Sequence, residues 1–405
     1  MFAINTSSNP LQRPMLDSHF QPWPVFSPEE VEAVSEVLRS GRVNYWTGQV
    51  CREFEREFAV WCGVPHAVSL ANGTLALDAA LRALGIGPGD EVIVTPRTFL
   101  ASVSSVVNAG ARPVFADVDG ESGNISPASV AAVLSPATRA ILCVHLGGWP
   151  CEMDGLLGLA RSHGLKLIED CAQAHGASYR GRSVGAIGDV GAWSFCQDKI
   201  LTTGGEGGMV TTHDPALWSA MWSHKDHGKS WDAVYKREHG PGFKWLHESF
   251  GTNWRMLEVQ AAIGRIQLKL LPEWSSRRRQ LAEFLASVAR DLPALRVPQV
   301  PAHMVHAYYR QYFYVRPEAL RAGWTRDRIV DEIRALQVPC FQGTCSEVYL
   351  EKAFDGSGFR PPQRLPVARA LGETSLMFLV HPTIADAEIG RAGDAIATVI
   401  RAASR

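Results

Sequence analysis

Long apolar runs, a basic excess and paired metal-type cysteines are all missing from this sequence, and each absence removes a class of function. The 405 residues carry 40 Lys and Arg against 41 Asp and Glu, a formal net charge of -1. A chain without a basic excess is poorly matched to the phosphates of a duplex, so nucleic acid is not an expected partner. The run Arg277-Arg278-Arg279 reads as a solvated helix face. No apolar run is long enough to span a bilayer, and the N-terminal stretch lacks a basic start followed by an apolar core. A cytoplasmic location without a membrane partner is expected. The eight cysteines show no repeated CxxC, and Cys340 with Cys345 forms a lone CxxxxC, so neither zinc nor a disulfide framework is signalled. Buried thiols in a reducing compartment are expected instead. No G-x-G-x-x-G follows a strand, and Gly228-Lys229-Ser230 has Ser223 five positions before Gly228 and no apolar strand ahead of it. Both nucleotide-loop readings therefore fail.

What is present is a strand-helix alternation. With 46% apolar and 20% charged residues, the chain can bury one large core plus a smaller domain. Ser27 ahead of Pro28, Glu29 and Glu30 predicts a helix start, and Val50 to Trp61 predicts a second amphipathic helix. From His66 the runs HAVSL, EVIVTP, RPVFADVD, RAILCVHL and LKLIED alternate with helical stretches. Short continuous apolar strands between helices predict a mainly parallel sheet covered on both faces, with ligands at the carboxyl ends of its strands. Asn253 is expected to cap a helix from Arg255 to about Leu271, and Pro272 to break that helix and open another to about Leu292. Residues 213–250 show few clear periods and are expected to form a long excursion near the substrate entrance. Beyond them a smaller α/β domain is expected, with AYYRQYFYV as a strand, a helix capped by Thr325, VPCFQG as a strand, and a final helix starting after Thr383 with Asp386 completing its cap.

The stretch from Leu165 to Val210 carries the chemistry. Asp170 ends one apolar run, Ser194 lies in the next, and Lys199 follows before a glycine loop. Pyridoxal phosphate needs an amine for its aldehyde, a carboxylate for its ring nitrogen and donors for its phosphate, and Lys199, Asp170 and Ser194 are those types. An amine must be neutral to join the aldehyde, so burial and positive neighbours are expected to depress the proton affinity of Lys199. The Asn72-Gly73-Thr74 turn, between a strand and a helix, reads either as a phosphate cradle or as a plain helix cap. His145 and His175 are read as structural.

The strings EDCAQAHGA at 169–177, WSFCQDK at 193–199 and GGEGG at 204–208, with N-x-R-M at 253–256, resemble the DegT/DnrJ/EryC1/StrS family of pyridoxal-phosphate aminotransferases. Family-like segments run from Phe54 to about Gln267 and again around Leu365 to Pro382. The resemblance implies the type I, aspartate-aminotransferase-like α/β fold, divided into an N-terminal arm (1–26), a large cofactor domain (27–271) and a small C-terminal domain (272–405). It implies Gly73, Thr74 and Ser194 at the cofactor phosphate, Phe99 stacked on the ring, Asp170 on the ring nitrogen, Gln173 near the ring oxygen and Lys199 as the linking and proton-moving amine. It also implies that Asn253 reaches the phosphate in the other subunit of a homodimer. The glycine loop is one residue longer than a common family spelling, and Glu206 is given no contact.

The implied reaction moves the amino group of glutamate or glutamine to a keto sugar on a nucleotide. The same constellation would serve an aminoshikimate-type synthase. Relatives that dehydrate the sugar carry His in place of the linking lysine, so Lys199 opposes that chemistry. A non-catalytic regulator would call for a DNA-binding helix pair or a basic stripe, and neither is visible. Two departures from the family pattern touch the region where substrate is read: Gly147 after His145-Leu146, where relatives often have an aromatic, and Gln342 to Ser346 in place of a His-Tyr sequence.

Overall fold

A computed structural model describes residues 20–405. Its centre is a seven-stranded sheet of β1 (His66–Leu70), β2 (Glu91–Val94), β3 (Arg112–Phe115), β4 (Thr138–Val144), β5 (Lys166–Asp170), β6 (Val190–Ser194) and β7 (Gly208–Thr212), in the order β1-β7-β6-β5-β4-β2-β3. β2, β3, β4, β5 and β6 pair in parallel, while β7 runs antiparallel to both β1 and β6. The strands are buried on both faces, which explains their continuous apolar spelling. The mainly parallel sheet expected from that spelling is present, and because β1 runs in the same direction as β2 to β6, six strand ends open on one edge.

Helices cover this sheet. α1 (Pro28–Ser40) begins as expected: Ser27 Oγ accepts from the Glu30 N–H, and Glu30 returns a bond to the Ser27 N–H. α2 (Val50–Cys62) has no cap of its own, and the Glu258 carboxylate accepts from the N–H groups of Val50 and Cys51 at 2.6 and 3.2 Å. α3 (Gly73–Ala83) and α4 (Ala101–Asn108) follow β1 and β2, and α5 (Met153–His163) precedes β5. Residues 213–250 are not a plain excursion: Asp214 caps α6 (Pro215–Lys225), and a short helix covers Trp231–Tyr235. Packing among Trp218, Trp222, Trp231 and Tyr235 replaces the apolar stripe whose absence hid these helices.

α7 (Glu258–Arg290) corrects two expectations. It begins at Glu258 rather than Arg255, and Asn253 instead forms an isolated bridge with Asp226. It also runs unbroken through Pro272, so the proline bends no chain into a second helix. Close packing holds the helix on either side: a Cβ at Gly264 would meet Phe54 at 2.6 Å, Arg265 pairs with Glu53 and Glu57 of α2, and Leu281 and Leu285 are buried further along. Arg278, expected on a solvated face, is fully buried, and its neighbour Arg277 bonds the Ile384 carbonyl and Asp386.

The C-terminal part forms a second, antiparallel sheet of β8 (Leu295–Arg296), β9 (Gln311–Val315), β10 (Cys340–Phe341) and β11 (Ser375–Phe378), ordered β8-β9-β11-β10. Its strands are shorter than their apolar spelling suggests. α8 (Arg326–Ala335) is capped by Thr325 as expected. After α9 (Pro366–Thr374), the last helix, α10 (Asp386–Ala403), has Ala385 at its capping position, whose N–H donates to Glu388 at 2.7 Å, so neither Thr383 nor Asp386 makes the cap.

Residues 1–19 of the expected arm lie outside the described residues. Its last residues are packed: Trp23 is 7% exposed, the Gln21 N–H donates to Glu388, and Thr383 donates to the Pro22 carbonyl. No helix among the described residues is long and apolar enough to cross a membrane.

Because α7 is continuous, Pro272 occupies a helical site where a residue with an N–H would complete the ladder. Pro272→Ala should stabilise the protein by about 1–3 kcal/mol, read as a higher thermal midpoint with the far-ultraviolet spectrum unchanged. A lower midpoint would show that the helix needs its proline.

Candidate active site

The strand ends surround a cavity of about 560 Å³ lined by Gly73, Thr74, Phe99, Asp170, Gln173, Ser194 and Lys199. Seven of the eight residues singled out from the sequence therefore meet in one place. Asn253 does not: it is exposed and lies outside this cavity.

Each wall follows from local chemistry. The Asn72 side chain accepts from the Leu75 N–H at 3.0 Å and starts α3. This leaves the first amides of α3, at Gly73 and Thr74, without an intrahelical carbonyl, at the positive end of the helix dipole. A Cβ on Gly73 would stand 2.5 Å from that of Ser194, so glycine is what lets the helix start and the Ser194 hydroxyl share one anion-sized corner.

Opposite this corner, Asp170 is 6% exposed and accepts from Ser102 Oγ at 2.8 Å and from the Ala172 N–H at 3.1 Å. Burial raises its carboxyl above the ordinary value, although Ser102, the Ala172 amide, Lys199 and His145 pull the other way. Ser102 sits in the first turn of α4, three residues beyond Phe99. The sequence offered only that spacing as a signal for it. Phe99 lines the cavity and is 72% exposed. Gln173 Oε1 accepts from the Gly147 N–H at 2.7 Å, which leaves its amide nitrogen as a donor.

Lys199 lies in the loop after β6. Its N–H bonds the Cys196 carbonyl, and its own carbonyl accepts from the Trp23 indole at 2.8 Å. Its Nζ stands 3.3 Å from Asp198 and 5.2 Å from the Tyr309 ring centre. Burial pulls the Lys199 amine down, but Tyr309 and Asp198 outweigh it and hold the amine above its ordinary value. The expected depression by positive neighbours is therefore absent. An acid one residue away and a tyrosine from the distant segment just before β9 decide the sign, and sequence order hides the second. Glu206 also reaches the cavity wall.

The two histidines left structural are enclosed. His145 lies between the Glu169 carboxylate at 3.0 Å and the Cys151 N–H. His175 packs against Trp193 and Phe195, and burial together with Lys199 and Arg278 pushes it down to about 3.

The family model for DegT/DnrJ/EryC1/StrS aminotransferases matches residues 24–397. The chain belongs to this family. Among solved structures it is 60% identical to an aminotransferase from Psychrobacter cryohalolentis, with a TM-score of 0.94 over 95% of this chain and 99% of that one. It is 38% identical to the dTDP-3-amino-3,4,6-trideoxy-alpha-D-glucose transaminase of Streptomyces venezuelae, covering 90% of each chain. It is 36% identical to the UDP-N-acetyl-3-dehydro-alpha-D-glucosamine 3-aminotransferase of Acidithiobacillus ferrooxidans, covering 96% of this chain and 97% of that one.

As a family member it is a pyridoxal-phosphate-dependent aminotransferase with the type I fold. The cavity fits that cofactor on its own evidence. The buried Asp170 carboxylate, which forms no ion pair among the described residues, and the uncapped first amides of α3 line the same space, whose volume is of the right order for a small cofactor.

A carboxyl raised on folding adds stability below its unfolded pKa, and that stability is lost as pH rises through the folded value. Ionised Asp170 should therefore burden the cofactor-free protein at neutral pH. Asp170→Asn, which keeps an acceptor for Ser102, should raise the cofactor-free thermal midpoint by about 2 °C at pH 7, with the gain shrinking as pH falls into the carboxylate range. Equal midpoints at every pH would refute this. Separately, Gly73→Ala should weaken cofactor binding about 10- to 100-fold through the clash with Ser194, as measured by titration of the visible absorption band.

Proposed function

We propose that this enzyme moves the amino group of L-glutamate or L-glutamine to a keto sugar carried on a nucleotide, in two separate half-reactions of the ping-pong kind. The observation that carries this reading is the convergence of Lys199, Asp170, Ser194 and the first amides of α3 on one cavity. The relatives from Streptomyces venezuelae and Acidithiobacillus ferrooxidans are named for transamination of nucleotide-linked sugars, which supports the acceptor class and a role in amino-sugar supply for polysaccharide or glycoconjugate assembly.

When bound, pyridoxal phosphate supplies an aldehyde for amines and a ring that draws electrons from the carbon being deprotonated. The protein's part is binding, orientation and proton movement. Gly73, Thr74 and Ser194 would hold the phosphate, and Phe99 would pack against the ring. Asp170 holds negative charge where a protonated ring nitrogen needs it, and Gln173 donates from its free amide. Lys199 Nζ would hold the aldehyde carbon and, when free, would be the base for the proton on the donor Cα.

Asn253, exposed and outside its own cavity, is read as reaching the phosphate of the partner in a homodimer. The division into arm (1–26), large domain (27–271) and small domain (272–405), and a cytoplasmic location, belong to the same reading.

Lys199→Ala should abolish the borohydride-reducible link while the chain still folds, and persistence of that link would overturn the assignment. Mixed dimers of Lys199→Ala and Asn253→Ala subunits should recover part of the activity lost in each alone, since one site then keeps both residues. No recovery in verified mixed dimers would remove the cross-subunit role. Incubation with L-glutamate or L-glutamine and no sugar should bleach the loaded enzyme and release a stoichiometric amount of keto acid. Release only when sugar is present would exclude the ping-pong order.

A further inference from the structure

A second carboxylate stands beside the reactive amine. Asp198 Oδ1 lies 3.3 Å from Lys199 Nζ, and both residues line the cavity. Its other oxygen accepts the Tyr309 hydroxyl and lies 3.7 Å from Arg310 Nη2. Tyr309 is itself fixed: its N–H donates to the Gly147 carbonyl at 2.9 Å, and its hydroxyl accepts from Arg310 at 3.4 Å. Asp198 is thus oriented by two groups from the segment leading into β9 while it faces an amine in the loop after β6.

The remaining ionisable groups around Lys199 do not take this place. Asp170 is occupied by Ser102 and Ala172. His175 is kept neutral by burial and by its positive neighbours, and Arg278, on α7, offers no acceptor. The Cys196 thiol, in the same loop, is raised by burial and by Glu206 and Asp198. Asp198 differs from all of these. Burial opposes its charge, yet Lys199, Arg310 and Tyr309 keep its carboxyl below the ordinary range, so it is ionised at neutral pH.

We propose that Asp198 is a further catalytic residue, which receives Lys199 in its ammonium form during proton transfer. After the donor displaces Lys199, the C–H bond at the donor Cα breaks and its bonding pair stays with the carbon. The proton forms a new N–H bond on Lys199 Nζ, and the ammonium rests against Asp198 Oδ1 until it passes the proton on. A carboxylate at this distance makes the free lysine a stronger base for a weakly acidic carbon. Tyr309 and Arg310 are positioning residues that keep the carboxylate turned toward Nζ. This inference rests on the reading of Lys199 as the linking amine.

The test separates the two. In the full-length chain stripped of cofactor, Lys199 is labelled with trace acetic anhydride across a pH series and quantified by peptide mass spectrometry. Removing the carboxylate removes what favours the ammonium, so Asp198→Asn should lower the labelling midpoint of Lys199 by about one unit, the modest end for a half-exposed partner. Asp198→Glu should bring it back toward the original value, and Tyr309→Phe should move it down by less. In the loaded enzyme, Asp198→Asn should lower kcat about tenfold with KM for the donor unchanged.

A midpoint for Asp198→Asn that coincides with that of the unaltered chain, or an unchanged kcat, would overturn the proposal. If that variant fails to fold, Tyr309→Phe decides, and an unmoved midpoint there also overturns it. Loss of the reducible link in Lys199→Ala remains the separate check on the linking amine.

Discussion

The site depends on two successive carboxylates at the end of the central strand, which must point to opposite faces of the sheet. Both are buried, and burial of a charge is tolerated only where partners replace water. Glu169 has its partners within the protein: His145 at 3.0 Å and the N–H groups of Gly185, Ile187 and Gly188 at 2.7 to 2.9 Å. Against the cost of burial these keep its carboxyl below the usual range. Among the described residues Asp170 accepts only from Ser102 and Ala172, and although Lys199 and His145 also favour its charge, burial prevails. One carboxylate ties the 185–188 turn to the strand, and the other is left needing a cation. A ligand with a basic ring nitrogen meets that need, so the chemistry of β5 constrains the cofactor.

The loop that presents Lys199 is fixed from several directions. Thr202 donates its N–H to Gln267 Oε1 at 2.9 Å, and Gln267 in turn donates to Glu30, so the loop is tied to α7 and through it to α1. From the other side, the Trp23 indole bonds the Lys199 carbonyl, while Trp274, His381 and Arg278 pack around that ring. The N-terminal segment and the C-terminal sheet region thereby share in placing a side chain that belongs to neither. Positional accuracy at a reacting amine requires such support, because a shift of an ångström is costly to rate.

This distribution also explains what sequence could and could not reveal. Strand ends were legible because apolar runs stop at Asp170 and at the Asn72-Gly73-Thr74 turn, and a parallel sheet sends such ends to one edge. The Ser27 and Thr325 caps were legible because capping is local. Pro272 misled because a local rule was outweighed by packing of α7 at Phe54 and at Leu281 and Leu285. Arg278 misled because three successive arginines do not share one helix face. Asp198 was adjacent to the lysine in plain view, but its meaning comes from Tyr309, more than a hundred residues away.

The two departures from the family pattern obey the same long-range logic, for they meet at a single ring. A Cβ on Gly147 would lie 3.1 Å from one edge of Tyr312, and a Cβ on Gly343 would lie 2.6 Å from the other. Both glycines have positive φ, 65° and 97°, so backbone conformation and lack of space each exclude larger residues. The Tyr312 hydroxyl is 3.1 Å from Thr344 Oγ1, which anchors the altered segment to the ring. An aromatic at position 147 and the tyrosine at position 312 would compete for one volume, so Gly147 and Tyr312 fit as a pair. Because Gly147 also donates to Gln173, that pairing is transmitted directly to the cavity wall.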